Sequence, residues 1–474
     1  MRSRWLKYYQ WESRLHSDRV LNNYSEYLPL LQEAVKKLDE WRNRYGDDLS
    51  DTLPVHLEHR VIETTLSKLR EKLNNNYPFH HPQYAGQMLK PPHPAAWLAY
   101  SLAMTINPNN HALDGGPPTS EMEKEVINQL AEMIGYDSNH LGHLTSGGTV
   151  ANLEALFIAR EIHPEKAIAA SSNAHYTHSR MSRLLRAEYI EIPVDRNGFP
   201  DLNFIKNHAH KIGTLVVTMG TTGLGIVEPL DDLLNIANHF GFRVHADAAY
   251  GGFFKLIAGE LPSQTHWNKL NRCDSVVIDP HKHGLQPYGC GSVFYRDASI
   301  GKYFKHDSPY TYFTSNDLHL GEISIECSRA GASAAALWTT LRLLPLTSEG
   351  LGSVIRKTRG AATKFAELVS RQPGWQLCNT PDLDIVGYFK EPKIKSLQEL
   401  NRLSRRIFES GMRDIESGFH LSLFTIEADY FAQNFPDYIV DEKQAVVLRS
   451  VFMKEEHEPF VEELFRRISS ACIG

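Results

Sequence analysis

Near the start of the chain, apolar residues recur every three to four positions. Leu31, Val35 and Leu38 fall on one face of a predicted helix, and Val61, Leu66, Leu69 and Leu73 do the same within 57–73. Neither stretch has enough apolar surface for a core of its own, so each is expected to dock on another lobe or another subunit. From about residue 90 the period changes. Short β-branched runs at 167–170, 189–194, 214–218, 242–246, 275–278 and 292–295 alternate with helical patterns at 120–134, 149–161 and 230–240. That rhythm predicts an α/β fold, with a mostly parallel central sheet and helices on both faces. Beyond 345 a smaller α+β lobe is expected. It has helices at 351–371, 397–409 and 456–470, an extended stretch at 384–389 and a strand at 445–452. The expected division is an N-terminal helical segment (1–90), a large domain (91–345) and a small C-terminal domain (346–474).

Composition narrows the function classes more than the fold. The 474 residues are 42% hydrophobic and 22% charged, with a formal charge of −6. That is the make-up of an ordinary globular chain, and its acidic balance argues against a nucleic-acid partner, which would need a basic face. The five cysteines, Cys273, Cys290, Cys327, Cys378 and Cys472, are scattered and form no CxxC pair. They read as reduced thiols of a cytoplasmic protein and argue against structural zinc. The N-terminus lacks the apolar segment of a secretory signal, and no run approaches the ~18 apolar residues of a membrane helix, so no membrane partner is expected.

The chemistry concentrates at predicted strand ends. Lys282 follows the run at 275–278, between His281 and His283, with Asp279-Pro280 before it and Gly284 after. Asp247 ends the preceding strand, followed by Ala248 and Ala249, which leave room for a flat ring. A carboxylate is costly to bury without a partner, and a protonated pyridine nitrogen is a suitable one. A lysine amine and a carboxylate at adjacent strand ends point to pyridoxal 5'-phosphate (PLP), whose aldehyde and ring nitrogen need those two groups. Ser146, Gly147, Gly148 and Thr149 precede a helix and suit a phosphate, although a plain helix cap would look the same. His175 follows another strand and suits a planar ring, or a loop bonded to backbone. Thr221, in Gly220-Thr221-Thr222-Gly223, suits the floor of a site, or a plain turn. His281 and His283 offer two metal-ligand side chains without a third, so no metal is expected.

In order, these motifs resemble the group II PLP-dependent amino-acid decarboxylases, which have PLP-dependent transferase fold type I. The ordered set is Thr-Ser-Gly-Gly-Thr with Ala-Asn-Leu-Glu-Ala-Leu, then Ala-His, Gly-Thr-Thr, Asp-Ala-Ala-Tyr-Gly-Gly and Pro-His-Lys. Asn107-Pro108-Asn109-Asn110-His111 and the stretch 117–123 precede it, and the similarity runs from about residue 75 to 345. The resemblance implies that Lys282 holds the cofactor, Asp247 pairs with the pyridine nitrogen, His175 stacks on the ring and Ala249 packs against it. It also implies that Ser146, Gly147 and Gly148 hold the phosphate, with Thr149 at the same turn. His281 would lie beside the lysine and Thr221 near the ring substituents. The large domain would bind the cofactor, and the apolar stripes of the first segment would serve an obligate homodimer with interfacial active sites.

Many relatives carry Asn-Pro-His-Lys-Trp, but this chain has Asp279-Pro280-His281-Lys282-His283. That version is similar to bacterial tyrosine decarboxylases and archaeal tyrosine/aspartate decarboxylases. Tyr310 and Tyr312 lie in 305–322, where the family keeps a mobile loop bearing a catalytic tyrosine. The implied reaction is decarboxylation of an L-amino acid, tyrosine-like first. Glutamate or aspartate decarboxylation, carbon–carbon lysis, transamination and aldehyde-forming decarboxylation remain as alternatives. Tyr77, Phe79, Tyr84 and Trp97 are candidates for an aromatic-substrate pocket or for plain core. Arg329 would face an acidic substrate or a structural carboxylate.

Overall fold

The computed structural model describes residues 23–45, 58–304, 324–411, 414 and 418–472. The chain divides into two compact units, Met1–Leu53 and Pro54–Gly474. In the first, the helix Leu28–Arg42 forms with Leu31, Val35 and Leu38 half-buried.

The second unit carries two sheets. Strands β1 (Leu141–Thr145), β2 (Ala167–Ser171), β3 (Tyr189–Ile192), β4 (Ile212–Thr218), β5 (Arg243–Asp247), β6 (Ser275–Ile278) and β7 (Gly291–Tyr295) form the larger, in the order β1-β7-β6-β5-β4-β2-β3. β7 runs opposite to the other six strands. The smaller sheet joins β8 (Trp375–Leu377), β9 (Ile385–Lys390), β10 (Ser422–Glu427) and β11 (Gln444–Val451), all antiparallel, in the order β10-β11-β9-β8.

Local chemistry sets the element ends. The helix Leu230–Phe240 stops at Gly241, whose φ of +77° suits glycine and whose N–H caps the Ala237 carbonyl. β5 then starts two residues later. All seven residues of β4 and all four of β6 are buried, as expected for central parallel strands covered on both faces by helices. Small residues let the helix Gly148–Ile162 lie close on the sheet: Ala151, Ala155 and Ala159 are buried. β5 and β6 are parallel neighbours, so their carboxyl ends emerge side by side, where ligands bind in open α/β sheets.

The helix His59–Leu73 forms as the periodicity predicts, but its apolar stripe is uncovered: Val61 is 52% exposed, Leu66 57% and Leu73 56%. No helix among the described residues is long and apolar enough to cross a membrane.

Candidate active site

A cavity of about 320 Å³ opens at the carboxyl ends of β2, β4, β5 and β6. Ser146, Gly147, Gly148, Thr149, His175, Asp247, Ala249, His281 and Lys282 all line it, so one fold brings together residues spread over 137 positions (282 − 146 = 136, plus one). Thr221 is not among the lining residues. Its hydroxyl turns inward to accept the Ile226 N–H at 3.0 Å, and Gly220 and Thr222 form the wall instead. Tyr310 and Tyr312 lie outside the described residues.

Asp247 is buried at the end of β5. His178 Nε2 donates to its Oδ2 at 2.8 Å, and the Ala249 N–H donates to Oδ1 at 3.2 Å. Burial alone would push this carboxyl up. The His178 hydrogen bond, with the charges of His178, Lys282 and His245, outweighs burial and holds it well below the usual carboxylate range. The aspartate therefore has a partner inside the protein, and that partner is a flat imidazole rather than a long base. Sequence reasoning missed His178, although it lies three residues after His175, one helical turn on. Behind it, His245 bridges Ser275 Oγ and Asn152 Oδ1, both at 2.8 Å, and burial pushes it down to about 3.

Lys282 sits on a tight turn after β6, where its N–H donates to the Asp279 carbonyl at 2.9 Å. Its Nζ lies 3.2 Å from Asp279 Oδ2. The flanking histidines point to different partners. His281 Nδ1 donates to the Cys290 carbonyl at 2.8 Å, while His283 Nε2 meets Asp384 Oδ2 at 2.7 Å. Asp384 also accepts from Tyr250 Oη at 2.5 Å. Burial would raise the Asp384 carboxyl, but these partners, His283 first, hold it below its ordinary value. His283, Asp384 and Tyr250 thus form a buried cluster that ties the lysine turn to the start of β9. Nothing in the sequence links these positions, which are up to 134 residues apart.

At the cradle, Gly147 has φ +153° and opens the helix Gly148–Ile162. A Cβ on Gly148 would stand 2.5 Å from Asp279 Oδ2, and one on Gly291 would stand 2.6 Å from the Gly147 backbone. Only glycine allows that approach. The Ser146 N–H donates to the Glu326 carboxylate at 2.8 Å, so this helix start already holds an anionic group. His175 is half-buried, which lowers its proton affinity; its Nδ1 accepts from Thr177 Oγ1 at 2.6 Å. A glycine cradle for an anion, a buried ionised carboxylate and an amine on one cavity wall fit PLP.

The other substrate candidates lie elsewhere. Arg329 is buried and paired: it donates to Glu123 Oε1 at 2.5 Å and to the Leu144 and Asn110 carbonyls. Tyr77, Phe79 and Tyr84 pack on one another and on His420, and neither they nor Trp97 line the cavity.

The pyridoxal-dependent decarboxylase conserved domain matches residues 63–390. An L-tyrosine decarboxylase of Enterococcus faecium is 26% identical, over 81% of this chain and 82% of its own length. A probable L-tyrosine/L-aspartate decarboxylase of Methanococcus maripaludis is 27% identical, over 71% of this chain and 88% of its own. Among solved structures, Oryza sativa TDC with PLP and tryptamine superimposes with a TM-score of 0.76 at 17% identity, over 96% of this chain and 99% of that one. Catharanthus roseus tryptophan decarboxylase in complex with L-tryptophan gives 0.74 at 18%, over 95% and 98%. The match covers well over half the chain, and its cavity has the groups the cofactor needs: the protein belongs to the pyridoxal-dependent decarboxylase family and is a PLP-dependent amino-acid decarboxylase.

Proposed function

We propose that the protein decarboxylates an aromatic L-amino acid, tyrosine first, as a cytoplasmic homodimer. When bound, PLP supplies an aldehyde that captures amines and a ring that accepts the electron pair left as CO₂ departs. In this reading Lys282 holds the cofactor through its amine. Asp247, kept ionised by His178, holds a proton on the ring nitrogen. His175 and Ala249 contact the ring, and Thr221 supports that wall from behind. Ser146, Gly147, Gly148 and Thr149 hold the phosphate, with His281 beside them. Tyr310 or Tyr312 delivers the proton to Cα.

The observation carrying the site assignment is the placing of Asp247 and Lys282 at the ends of paired strands on one cavity wall. The substrate preference draws on the naming of the Enterococcus relative. It draws also on Arg329, which is occupied by Glu123 rather than open to an acidic side chain. Among the described lining residues there is no arginine, so a second carboxylate on the substrate would find no bidentate partner there. The uncovered stripe of Val61, Leu66 and Leu73 supports a second copy as partner, and five free cysteines support a reducing compartment.

The test is product analysis after supplying twenty amino acids to the PLP-loaded protein. The amine of tyrosine with equimolar CO₂ is expected. β-Alanine or γ-aminobutyrate as the main product would move the assignment to aspartate or glutamate, and keto acids would move it to transamination. Size-exclusion chromatography with light scattering is expected to return twice the chain mass; an active monomer would remove the dimer. Cell fractionation tests the compartment, and recovery with the membrane or secreted fraction would contradict it.

A further inference from the structure

Two buried carboxylates line the cofactor cavity, Asp247 and Asp279, and Asp384 lies behind the lining residue Tyr250; the three are not used alike. Asp247 has both oxygens taken by His178 and the Ala249 N–H, and Asp384 has both taken by Tyr250 and His283. Asp279 differs. Its Oδ2 lies 3.2 Å from Lys282 Nζ and 3.5 Å from His281 Nε2, while its buried Oδ1 has no hydrogen-bond partner. The turn closed by the Lys282 N–H on the Asp279 carbonyl keeps the two side chains together. Asp279 is only 2% exposed, so its charge acts on the lysine nitrogen with little screening.

We propose that Asp279 is the counter-ion of Lys282: a positioning residue whose carboxylate keeps positive charge on the lysine nitrogen, including when that nitrogen is joined to the cofactor's aldehyde carbon. The inference rests on the reading that Lys282 carries PLP. A protonated carbon–nitrogen double bond is the form an incoming amine attacks, so a counter-ion here extends to higher pH the range in which substrate is accepted. Other groups face the same pair. Lys282 also feels Asp247 from the end of β5, His175 from the loop after β2, and His281 from its own turn. Asp279 is faced by His281, Tyr288, Cys290 and the start of the helix Gly148–Ile162. Asp247 is committed to His178, and the two histidines carry no negative charge, so Asp279 is the carboxylate with an oxygen to spare for the lysine.

The test uses PLP-loaded wild type and Asp279→Asn, a variant of the same shape without the charge. The visible absorbance of the protonated lysine–cofactor bond is titrated with pH in each, and borohydride reduction with peptide mapping reports where the cofactor sits. The expected result is cofactor on Lys282 in both, with the midpoint of the variant lower by at least about one pH unit, tenfold in proton affinity. A single cooperative thermal transition in each cofactor-free protein shows that the variant keeps its fold, which separates lost charge from lost fold. Asp279→Ser removes the same charge and replaces the first variant should that one retain no cofactor. Identical midpoints would overturn the proposal, as would an unchanged midpoint with tighter cofactor binding, which would mean that the carboxylate acts on the phosphate. Absence of a reducible bond at Lys282 in the wild type would overturn the underlying site reading instead.

Discussion

Replacing His178 with phenylalanine tests the electrostatics of the cavity most sharply. The ring keeps its approximate shape, but the hydrogen bond to Asp247 Oδ2 at 2.8 Å is lost. His178 is fully buried and the Asp247 side chain is 7% exposed, so water does not replace the donor. Removing one partner of a buried charge costs about 2–4 kcal/mol near neutral pH. The sign with pH follows from linkage. In the wild type the folded-state pKa of Asp247 is depressed, so its contribution is full above the unfolded value of about 3.9 and is lost as pH falls through the folded value. In the variant the main opposing force to burial is gone and the carboxyl shifts upward. Its folded form then binds a proton more tightly than the unfolded chain, and stability falls as pH rises through the raised value. The gap between the proteins should therefore be widest near neutrality, narrow toward about pH 4 as the variant's carboxyl takes up its proton, and close only as the pH falls further through the wild-type folded value. Urea denaturation of the cofactor-free proteins across that range measures it. A gap that is absent, or constant with pH, would refute this account of Asp247.

Three further outcomes are expected. Burial pushes the Glu228 carboxyl up to about 7, against hydrogen bonds from Ser171 Oγ and the Thr218 N–H. A raised carboxyl favours the folded state below that value and loses the benefit above it, so Glu228→Gln should be more stable than wild type by about 2–3 kcal/mol near pH 8, and equal to it near pH 4; equal denaturation midpoints at both would refute this. Gly148→Ala brings a Cβ within 2.5 Å of Asp279 Oδ2. The protein should still fold, since a helix gain of up to about 1 kcal/mol offsets part of an overpacking cost of about 1–3, but PLP affinity should fall at least tenfold by fluorescence titration. Arg329→Leu takes the cation from the buried Glu123 carboxylate, leaving it the Leu144 N–H and Asn110 Nδ2, and should cost about 3–5 kcal/mol, whereas adding Glu123→Gln, which removes the charge, should recover part of it on chemical denaturation.

The sequence was most legible where periodicity and punctuation agreed. The helix Leu230–Phe240 and the helix Leu351–Arg371 form over the predicted residues, and the β5–β6 pair carries Asp247 and Lys282 as expected. β1 was not legible: Leu-Gly-His-Leu-Thr is short and broken by Gly142 and His143, and its strand character comes from pairing with β7, about 150 residues on. The helix Gly331–Leu343 was hidden because its buried residues are mostly Gly, Ala and Ser, which give little hydrophobic contrast. At the site, ordered short motifs revealed the lining residues. The supporting partners did not show, because His178 with Asp247, His283 with Asp384, and Glu123 with Arg329 meet only through the fold. Thr221 shows the limit of motif reading: the turn is at the cavity, but its neighbours Gly220 and Thr222 form the wall.

The central claim is that Lys282 carries the cofactor, and borohydride reduction of the PLP-loaded protein followed by peptide mass mapping tests it most directly. Burial lowers two other amines toward reactivity, Lys90 to about 8 and Lys454 to about 7, so the chain contains its own competitors. The account predicts a single modified peptide, the one containing Lys282, and none in Lys282→Ala. Modification at Lys90 or Lys454 instead, or labelling that persists in Lys282→Ala, would contradict it.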